Sequence, residues 1–225
     1  MKRLIKLIKQ LGIDYNREPI YRIDNFYIED GGISPLDIVL NQKSWGSNLL
    51  IISGEKGSGK THLSNIYANK FNVPIVSKEC LHFDMLENIS RTGCVIDDIN
   101  DIDEKLLFHL INMSKKYGSN LLFTSNKKVK DIDITLPDLK SRLLQAMVYN
   151  IEKPSDESLH FVMLKNFIDK QLRIKSDVMS YIIERTPRSY STVIKFVDIL
   201  DKESLACSNE ITIPFVRKIL QEYDI

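Results

Sequence analysis

The feature that most constrains this chain is the stretch "GEKGSGKT", residues 54–61, which lies between the apolar run "NLLIIS" and the helix-like segment "HLSNIYANK". The pattern G-x-x-x-x-G-K-[ST] in this position predicts a phosphate-binding loop that joins a buried strand to a helix. Gly57 and Gly59 allow backbone amides to turn toward phosphate oxygens, and a helix starting at Lys60 adds its N-terminal dipole. The alternative is a glycine-rich turn with an incidental Lys-Thr pair, which the strand-loop-helix order disfavours.

The loop predicts a nucleotide site with a magnesium ion. We expect the Lys60 side chain to reach the β- and γ-phosphates, and the Thr61 hydroxyl to bind Mg²⁺. The pattern is compatible with either ADP or ATP as the nucleotide. The residues of this segment that we expect to contact the nucleotide are Gly54, Gly57, Ser58, Gly59, Lys60, Thr61 and His62.

Polar residues follow two further apolar runs. In "CVIDDIND", Asp97 and Asp98 come at the carboxyl end of a predicted strand, where ligands gather in open α/β sheets. Asp97 is predicted to hold the metal's water shell and Asp98 to face the attacking water, although both could instead cap the following helix. Aspartate is shorter than glutamate, so we expect slow hydrolysis by this chain alone. The run "NLLFTSN" ends in Ser125 and Asn126, which could orient water or report the γ-phosphate, or could simply form a turn.

The order of these patterns predicts the architecture. Between about residues 48 and 151, short apolar runs alternate with helix-like stretches, as in a buried parallel sheet with right-handed crossovers. The fold class predicted is α/β, a three-layer domain with a five-stranded parallel sheet, followed by a small all-helical domain. Within the α/β domain we predict helices over 60–71, near 80–88 and over about 102–116. Beyond the segment "KPSDES" we predict helices over 155–170, 176–185, 189–205 and 214–223.

Composition excludes several other classes of protein. Lys and Arg number 31 against 30 Asp and Glu, so the formal charge of +1 gives no overall field that attracts nucleic acid. Cys80, Cys94 and Cys207 lie far apart without CxxC spacing, which favours reduced thiols over disulfides or a zinc site. No apolar run approaches the ~20 residues of a membrane span. We therefore expect a cytoplasmic protein without a membrane anchor.

The combination of motifs resembles one family. "GKT" after the first strand, "DD" after the third, a polar end to the fourth, "KSR" before the fifth and an arginine in "RTPRSY" resemble the AAA+ initiator clade. Within that clade, "LLFTSN", "LPDLKSRL" and "ITIPFVRKIL" are similar to the regulatory DnaA homologues called Hda. The resemblance extends over roughly residues 20–222. It implies a P-loop AAA+ domain over 19–152, a helical lid over 153–225 and a separate N-terminal tail over 1–18.

The resemblance also implies residue roles. Arg142 matches the arginine finger, which acts on the γ-phosphate held by a neighbouring subunit, and Arg188 matches the second sensor. Considered singly, each arginine is far more often a solvated surface charge than a phosphate sensor. Ser125 and Asn126 match the first sensor. The adenine would lie against "DNFYIEDGG", where Phe26, Tyr27 and Ile28 are candidate contacts and core packing is equally open.

The implied partners are the DnaA initiator and the sliding clamp of DNA polymerase III. The sequence stops after the last predicted lid helix, so we expect no helix-turn-helix and no direct sequence-specific DNA binding. In "KQLGIDY", residues Gln10, Leu11 and Ile13 resemble a clamp-binding peptide. The preceding residues also form a basic amphipathic pattern, which could dock on the chain's own domain or weakly on a membrane.

Three functions from different classes remain open at this stage. The first is a nucleotide-binding regulator that promotes hydrolysis of DnaA-bound ATP together with the clamp, and so restrains replication initiation. The second is a homo-oligomeric AAA+ ATPase that acts as a helicase loader or remodeller, for which concentration-dependent turnover would be diagnostic. The third is a P-loop kinase of a small molecule, which the predicted helical lid with one sensor-like arginine fits poorly.

Overall fold

The computed structural model describes residues 34–207 and 210–223 of the chain. These residues divide between 152 and 153 into an α/β unit and a helical unit. Within the described ranges, none of the helices has the length and apolar character needed to cross a membrane.

The α/β unit is built on a five-stranded parallel sheet with the strand order β2-β3-β4-β1-β5. This confirms the predicted fold class. The order places β3 beside β4 and β4 beside β1, so the carboxyl ends of these three strands meet at one edge. The strands are β1 (Leu49–Ser53), β2 (Ile75–Val76), β3 (Cys94–Ile96), β4 (Leu121–Ser125) and β5 (Met147–Asn150).

Helices cover both faces of the sheet and give the predicted three layers. Alternate residues of a strand point to opposite faces, so Leu49 and Ile51 join one hydrophobic cluster while Leu50 and Ile52 join another. All four side chains are buried, which explains the unbroken apolar run in the sequence. The helices of this unit are α1 (Pro35–Leu40), α2 (Lys60–Phe71), α3 (Leu86–Thr92), α4 (Glu104–Tyr117) and α5 (Pro137–Gln145).

The predicted helices over 60–71 and 102–116 are confirmed by α2 and α4, whereas the one near 80–88 is wrong. Residues 78–80 and 83–85 form short 3-10 turns, and α3 begins only at Leu86. Between the turns, Leu81 and His82 are extended. The Leu81 side chain is buried in the core in this conformation, and its burial there interrupts the helix that local propensity favours.

Gly93, which ends α3 and precedes β3, provides a stability prediction. Its φ of 84° and ψ of 165° lie in a region that only glycine adopts readily, and an added Cβ would lie 2.3 Å from the backbone oxygen of Asn120. We therefore expect Gly93→Ala to lower the unfolding free energy of the α/β unit by about 3 kcal/mol or more. Denaturant titration followed by fluorescence of Trp45, the single tryptophan and a buried residue of this unit, measures the change.

The matched control is Gly46→Ala. Gly46 also has a positive φ, 64°, but an added Cβ there meets nothing within 4 Å. We therefore expect Gly46→Ala to lower the unfolding free energy by only about 1–2 kcal/mol, the cost of placing alanine in the left-handed conformation. Equal losses in the two variants would contradict the role of the Asn120 contact.

The helical unit has its own core. Met163, Phe167, Phe196 and Leu200 lie among its fully buried side chains. The side chain of Ser155 accepts a hydrogen bond from the Ser158 amide in a capping box, which confirms the predicted helix start. Lys170 pairs with Asp198 and Asp201, at 3.0 and 3.2 Å, and so links the end of the first helix to the third. The helices are α6 (Asp156–Asp169), α7 (Ser176–Ile183), α8 (Tyr190–Cys207) and α9 (Ile213–Glu222).

Candidate functional site

The loop of residues 54–59 joins the end of β1 to the start of α2, as predicted. Gly57 and Gly59 both have positive φ, 86° and 93°, which lets the chain turn into the first turn of the helix. Gly54 is closely packed, since an added Cβ would lie 2.8 Å from Ser58 Oγ and 3.0 Å from Ile151 Cβ. The three glycines therefore allow the backbone to turn tightly around the N-terminus of α2.

Lys60 is the first residue of α2, and its ammonium group bends back over this loop. Lys60 Nζ donates to the carbonyl oxygens of Gly54 and Glu55, both at 2.8 Å. The residue is only 7% exposed. Burial lowers the pKa of Lys60 from its ordinary value, while the negative charges of Asp98, Asp97 and Glu55 oppose that shift. The arrangement keeps a cation in the concavity of the loop. Asp97 and Asp98, which follow β3 and are called the acidic edge of the sheet below, lie close to it.

Thr61, the next residue, lies against the acidic edge of the sheet. Its Oγ1 donates to Asp97 Oδ2 at 3.0 Å, so two predicted metal-binding residues are brought together. The other carboxylate oxygen, Asp97 Oδ1, accepts a 2.7 Å hydrogen bond from Thr124 Oγ1. That hydroxyl also accepts a 2.8 Å bond from the backbone amide of Asp98. Thr124 at the end of β4 thus fixes the orientation of both aspartates that follow β3.

The Asp98 carboxylate is held by amide groups on both oxygens. Asn126 Nδ2 donates to Asp98 Oδ2 at 2.6 Å, and Asn100 donates to Asp98 Oδ1 through both its side-chain amide and its backbone amide. Asp98 itself has a φ of 64°, a strained value for a residue that is not glycine. The alternative that Asp97 and Asp98 cap the next helix is wrong, because α4 is capped by Asp103.

The two polar residues at the end of β4, Ser125 and Asn126, have different environments. Ser125 is buried, and its Oγ donates to the Lys127 carbonyl oxygen at 2.7 Å and accepts from the Lys127 amide at 3.0 Å. These are the bonds of a turn. Asn126 is exposed and reaches Asp98. Ser125 Oγ also lies 3.4 Å from Asn100 Oδ1, so both residues border the Asp98 carboxylate, and their first-sensor role stays a prediction.

Sequence reasoning missed Asn100, which contacts Asp98 as closely as Asn126 does. The available signal was short-range, because Asp-x-Asn after a strand favours an Asx turn in which the two side chains approach.

The two predicted sensor and finger arginines are in different units. Arg142 lies on α5 and is partly exposed, and its side chain makes neither a hydrogen bond nor an ion pair with any residue that the structure describes. Arg188 precedes α8 and pairs with Asp156 at 3.0 Å, but both side chains are more than half exposed, so this pair is weak.

The other predicted contacts have simpler outcomes. His62 lies partly exposed in the first turn of α2, next to Thr61. The predicted adenine contacts and the predicted clamp peptide lie outside the described residues; these are Phe26, Tyr27, Ile28, Gln10, Leu11 and Ile13.

The residues present fit a magnesium nucleotide. Ser58 Oγ, in the loop, is buried without a hydrogen-bond partner among the described residues, and Lys60 uses two of its three N–H groups on loop carbonyls. Thr61 and Asp97 offer the hard oxygen ligands that Mg²⁺ prefers. No group of three His, Cys, Asp or Glu side chains that could hold a metal occurs in the described ranges.

Thr124→Val tests whether the Thr124 hydroxyl holds Asp97 and Asp98 in place. Valine has nearly the same shape, but it removes the donor to Asp97 and leaves the Asp98 amide without its acceptor. Thr124 is fully buried, so we expect the unfolding free energy to fall by about 2 kcal/mol. Denaturant titration with the Trp45 signal measures this loss. Thr92→Val makes the same chemical change on an exposed residue and should cost less than about 0.5 kcal/mol. Similar losses in both variants would exclude the proposed support.

Known proteins are similar to this chain in sequence. Residues 157–220 match the family described as Hda, lid domain. An uncharacterized protein of Haemophilus influenzae is 31% identical over 222 aligned residues, which cover 90% of this chain and 96% of that protein.

Solved structures share the fold. Domain III of the replication initiation protein DnaA from Thermotoga maritima has a TM-score of 0.75 at 19% identity, over 91% of this chain and 97% of that domain. DnaA from Aquifex aeolicus, solved bound to AMPPCP, has a TM-score of 0.69 at 18% identity, over 92% of this chain and 71% of that one. Thermotoga maritima RuvB has a TM-score of 0.63 at 17% identity, over 83% and 66% of the two chains.

Proposed function

Because this chain belongs to the Hda-like, DnaA-related family of AAA+ proteins, we propose that it is a nucleotide-binding regulator of chromosomal replication initiation. In this proposal it promotes hydrolysis of ATP bound to the DnaA initiator, together with the sliding clamp of DNA polymerase III. The result is negative regulation, since the initiator loses its ATP.

The chain's own site is proposed to bind ADP or ATP. Lys60, Ser58 and the backbone amides of the loop would hold the phosphates, and the DnaA relative from Aquifex aeolicus was solved with the ATP analogue AMPPCP. Thr61 and Asp97 would hold Mg²⁺, which neutralises phosphate charge when bound. In the helical unit, Arg188 is proposed as the second sensor, and its weak, exposed pair with Asp156 leaves it free to exchange partners.

Hydrolysis at this site is proposed to be slow. A general base must reach the water it activates, and both oxygens of Asp98 already accept hydrogen bonds from Asn100 and Asn126. Aspartate also has a shorter reach than glutamate. These contacts favour a chain that responds to its bound nucleotide over one that turns it over rapidly.

The observation that carries the proposal is the state of Arg142. An arginine buried for structural reasons is hydrogen-bonded, because an unpaired buried charge is costly. The Arg142 side chain has no such partner among the described residues, and the residue is partly exposed on α5. A permanently charged planar group in this condition is suited to stabilise charge on a phosphoryl group that another molecule holds.

The proposed partners are DnaA and the sliding clamp. DnaA would supply the ATP that Arg142 acts on, and Gln10, Leu11 and Ile13 would bind the clamp. A homo-oligomeric ATPase, in which Arg142 serves a second copy of this chain, is the alternative that the same arginine supports.

Reconstitution tests the function directly. DnaA loaded with radiolabelled ATP is mixed with clamp-loaded DNA, ADP and the full chain, and the ADP fraction on DnaA is followed with time. We expect the chain to speed hydrolysis by about 100-fold or more, and to do so only with the clamp present. Gln10→Ala combined with Leu11→Ala should abolish the acceleration of hydrolysis that depends on the clamp. If the chain gives no acceleration in the complete mixture, but shows turnover of free ATP that rises steeply with its own concentration, the homo-oligomeric alternative is favoured.

A further inference from the structure

A carboxylate on α4 holds the loop that leads into α5. Glu104, the first residue of α4, accepts hydrogen bonds on both of its oxygens from residues 135 and 136. Glu104 Oε1 accepts from the Thr135 amide at 2.8 Å, and Oε2 accepts from the Leu136 amide at 2.6 Å. The Thr135 hydroxyl lies within hydrogen-bond distance of both oxygens, at 3.1 and 3.0 Å. One side chain therefore engages three donors on a segment about thirty residues later in the sequence.

These donors lie at the N-terminus of α5, where that helix has no cap of its own. Leu136 occupies the N-cap position, provides no side-chain cap bond, and is followed by Pro137, which has no amide hydrogen. The first amides of a helix need acceptors, and a negative charge beside them is favoured by the helix dipole. Asp138 provides one negative charge in the first turn, and Glu104 supplies from α4 the capping hydrogen bonds that Leu136 cannot make.

The electrostatics of Glu104 agree with this role. Its hydrogen bonds from the Thr135 backbone, and then from Leu136 and the Thr135 hydroxyl, lower the pKa of the Glu104 carboxyl below its usual value. The group is therefore fully charged at neutral pH and accepts bonds on both oxygens.

The α5 helix carries Arg142. Only Leu139 and Leu143 of its side chains are buried, so packing fixes one face of a short helix. Hydrophobic packing resists separation but is not directional, so it constrains sliding and rotation of the helix less than hydrogen bonds do. The bonds to Glu104 add the directional contacts at the end from which the helix starts.

We propose that Glu104 is a positioning residue for Arg142, because it fixes the start of α5 and thereby the direction in which the Arg142 guanidinium projects. This inference rests on the proposed function, in which Arg142 acts on a triphosphate held by another molecule. A finger of this kind must be held within a fraction of an ångström of its target, so loss of the anchor should reduce the rate more than the binding.

Glu104→Gln is the test variant. It keeps the size of the side chain but replaces one acceptor oxygen with an amide that points donor hydrogens at donor groups. Glu87→Gln is the matched control, since Glu87 lies in the first turn of α3, is exposed, and accepts hydrogen bonds from Arg91 and Tyr117 rather than from α5.

Hydrogen exchange of the purified full chain measures the structural step without any partner. We expect Glu104→Gln to speed amide exchange over residues 135–142 by about fivefold, which corresponds to loss of roughly one hydrogen bond. Exchange over α2 and β1 should be unchanged, and Glu87→Gln should leave residues 135–142 as they are. Unchanged exchange over 135–142 in Glu104→Gln would overturn the proposal, whether or not the chain acts on DnaA.

The rate of DnaA-ATP hydrolysis measures the functional step. Glu104→Gln should lower the maximal stimulated rate by about fivefold or more, with little change in the concentration of chain that gives half of it. Combined with Arg142→Ala, it should cause no further loss, since a residue that acts only through Arg142 has nothing left to position. A merely structural role predicts additive losses and a lower nucleotide affinity of the chain itself.

The two proposals fail in different ways. Stimulation that depends on Arg142 but is unaffected by Glu104→Gln overturns the positioning role and leaves the proposed function standing. Stimulation that is absent in the unaltered chain overturns the proposed function, while the exchange measurement still decides whether Glu104 holds α5.

Discussion

Lys60→Met is expected to lower the affinity of the chain for ADP and ATP by about 100-fold or more. Its ammonium would donate charge-assisted hydrogen bonds to phosphate oxygens, each worth about 1.5–3 kcal/mol, and methionine has the length of the stem without the donors. The N–H that is not bonded to a loop carbonyl is free for one such bond, and at the upper end of this range one bond corresponds to a loss of that size. Equilibrium titration with a fluorescent nucleotide measures the affinity.

The same substitution should have little effect on folding. Burial lowers the pKa of Lys60, which means that the folded protein disfavours its positive charge. Methionine removes that unfavourable contribution while losing the bonds to the carbonyls of Gly54 and Glu55, two residues that are themselves partly exposed. We expect the unfolding free energy to change by less than about 1 kcal/mol.

Lys56→Met is the control for charge. Lys56 is an exposed lysine of the same loop, so its replacement removes an equal charge without removing a buried donor. We expect about a twofold effect on nucleotide affinity. A comparable loss in both variants would mean that the loop acts only through its overall charge, and the assignment of Lys60 to the phosphates would then be wrong.

The elements that could be predicted from the sequence are those whose pattern is local. The apolar run of β1 and the glycine-rich loop occupy one continuous segment, so their order predicts a strand, a turn and a helix without reference to the rest of the chain. The contact between Thr61 and Asp97 follows from the same logic, because Asp97 directly follows β3 and Thr61 lies in the first turn of the helix that the loop after β1 leads into.

The wrong helix near 80–88 has a different origin. Its sequence is compatible with a helix locally, but the extended conformation at Leu81 lets that side chain enter the core under α3 and α4. Such burial depends on residues distant in sequence, and it outweighs the small differences in helix propensity among ordinary residues.

Glu104 was not recognised as a structural residue for a related reason. A glutamate in the first turn of a helix is expected from the helix dipole alone, so nothing local distinguishes it from a solvated charge. Its partners, Thr135 and Leu136, become neighbours only when α4 and α5 pack on the same face of the sheet. Contacts of this kind require the tertiary fold, and the candidate site depends on several of them.

Arg142→Ala is the substitution with the largest expected effect on the proposed activity. An arginine that offsets charge on a transferred phosphoryl group contributes through the transition state, so its loss should lower the maximal rate of DnaA-ATP hydrolysis by at least about 100-fold. The affinity of the chain for its own nucleotide should be unchanged, because Arg142 lies on α5 and the loop of residues 54–61 does not include it. Single-turnover measurement of ADP formation on DnaA, at saturating chain and clamp, determines the rate.

Two further variants separate geometry from charge. Arg142→Lys keeps the positive charge but lacks the planar fork that contacts two phosphate oxygens, so we expect it to recover less than about a tenth of the lost rate. Lys140→Ala removes an exposed cation from the same helix and should retain nearly full stimulation, since its side chain is a surface charge. If Arg142→Lys restored the full rate, a general electrostatic attraction between this chain and DnaA would explain the stimulation better than a finger does. If Arg142→Ala itself stimulated normally, action by Arg142 on another molecule's triphosphate would be excluded.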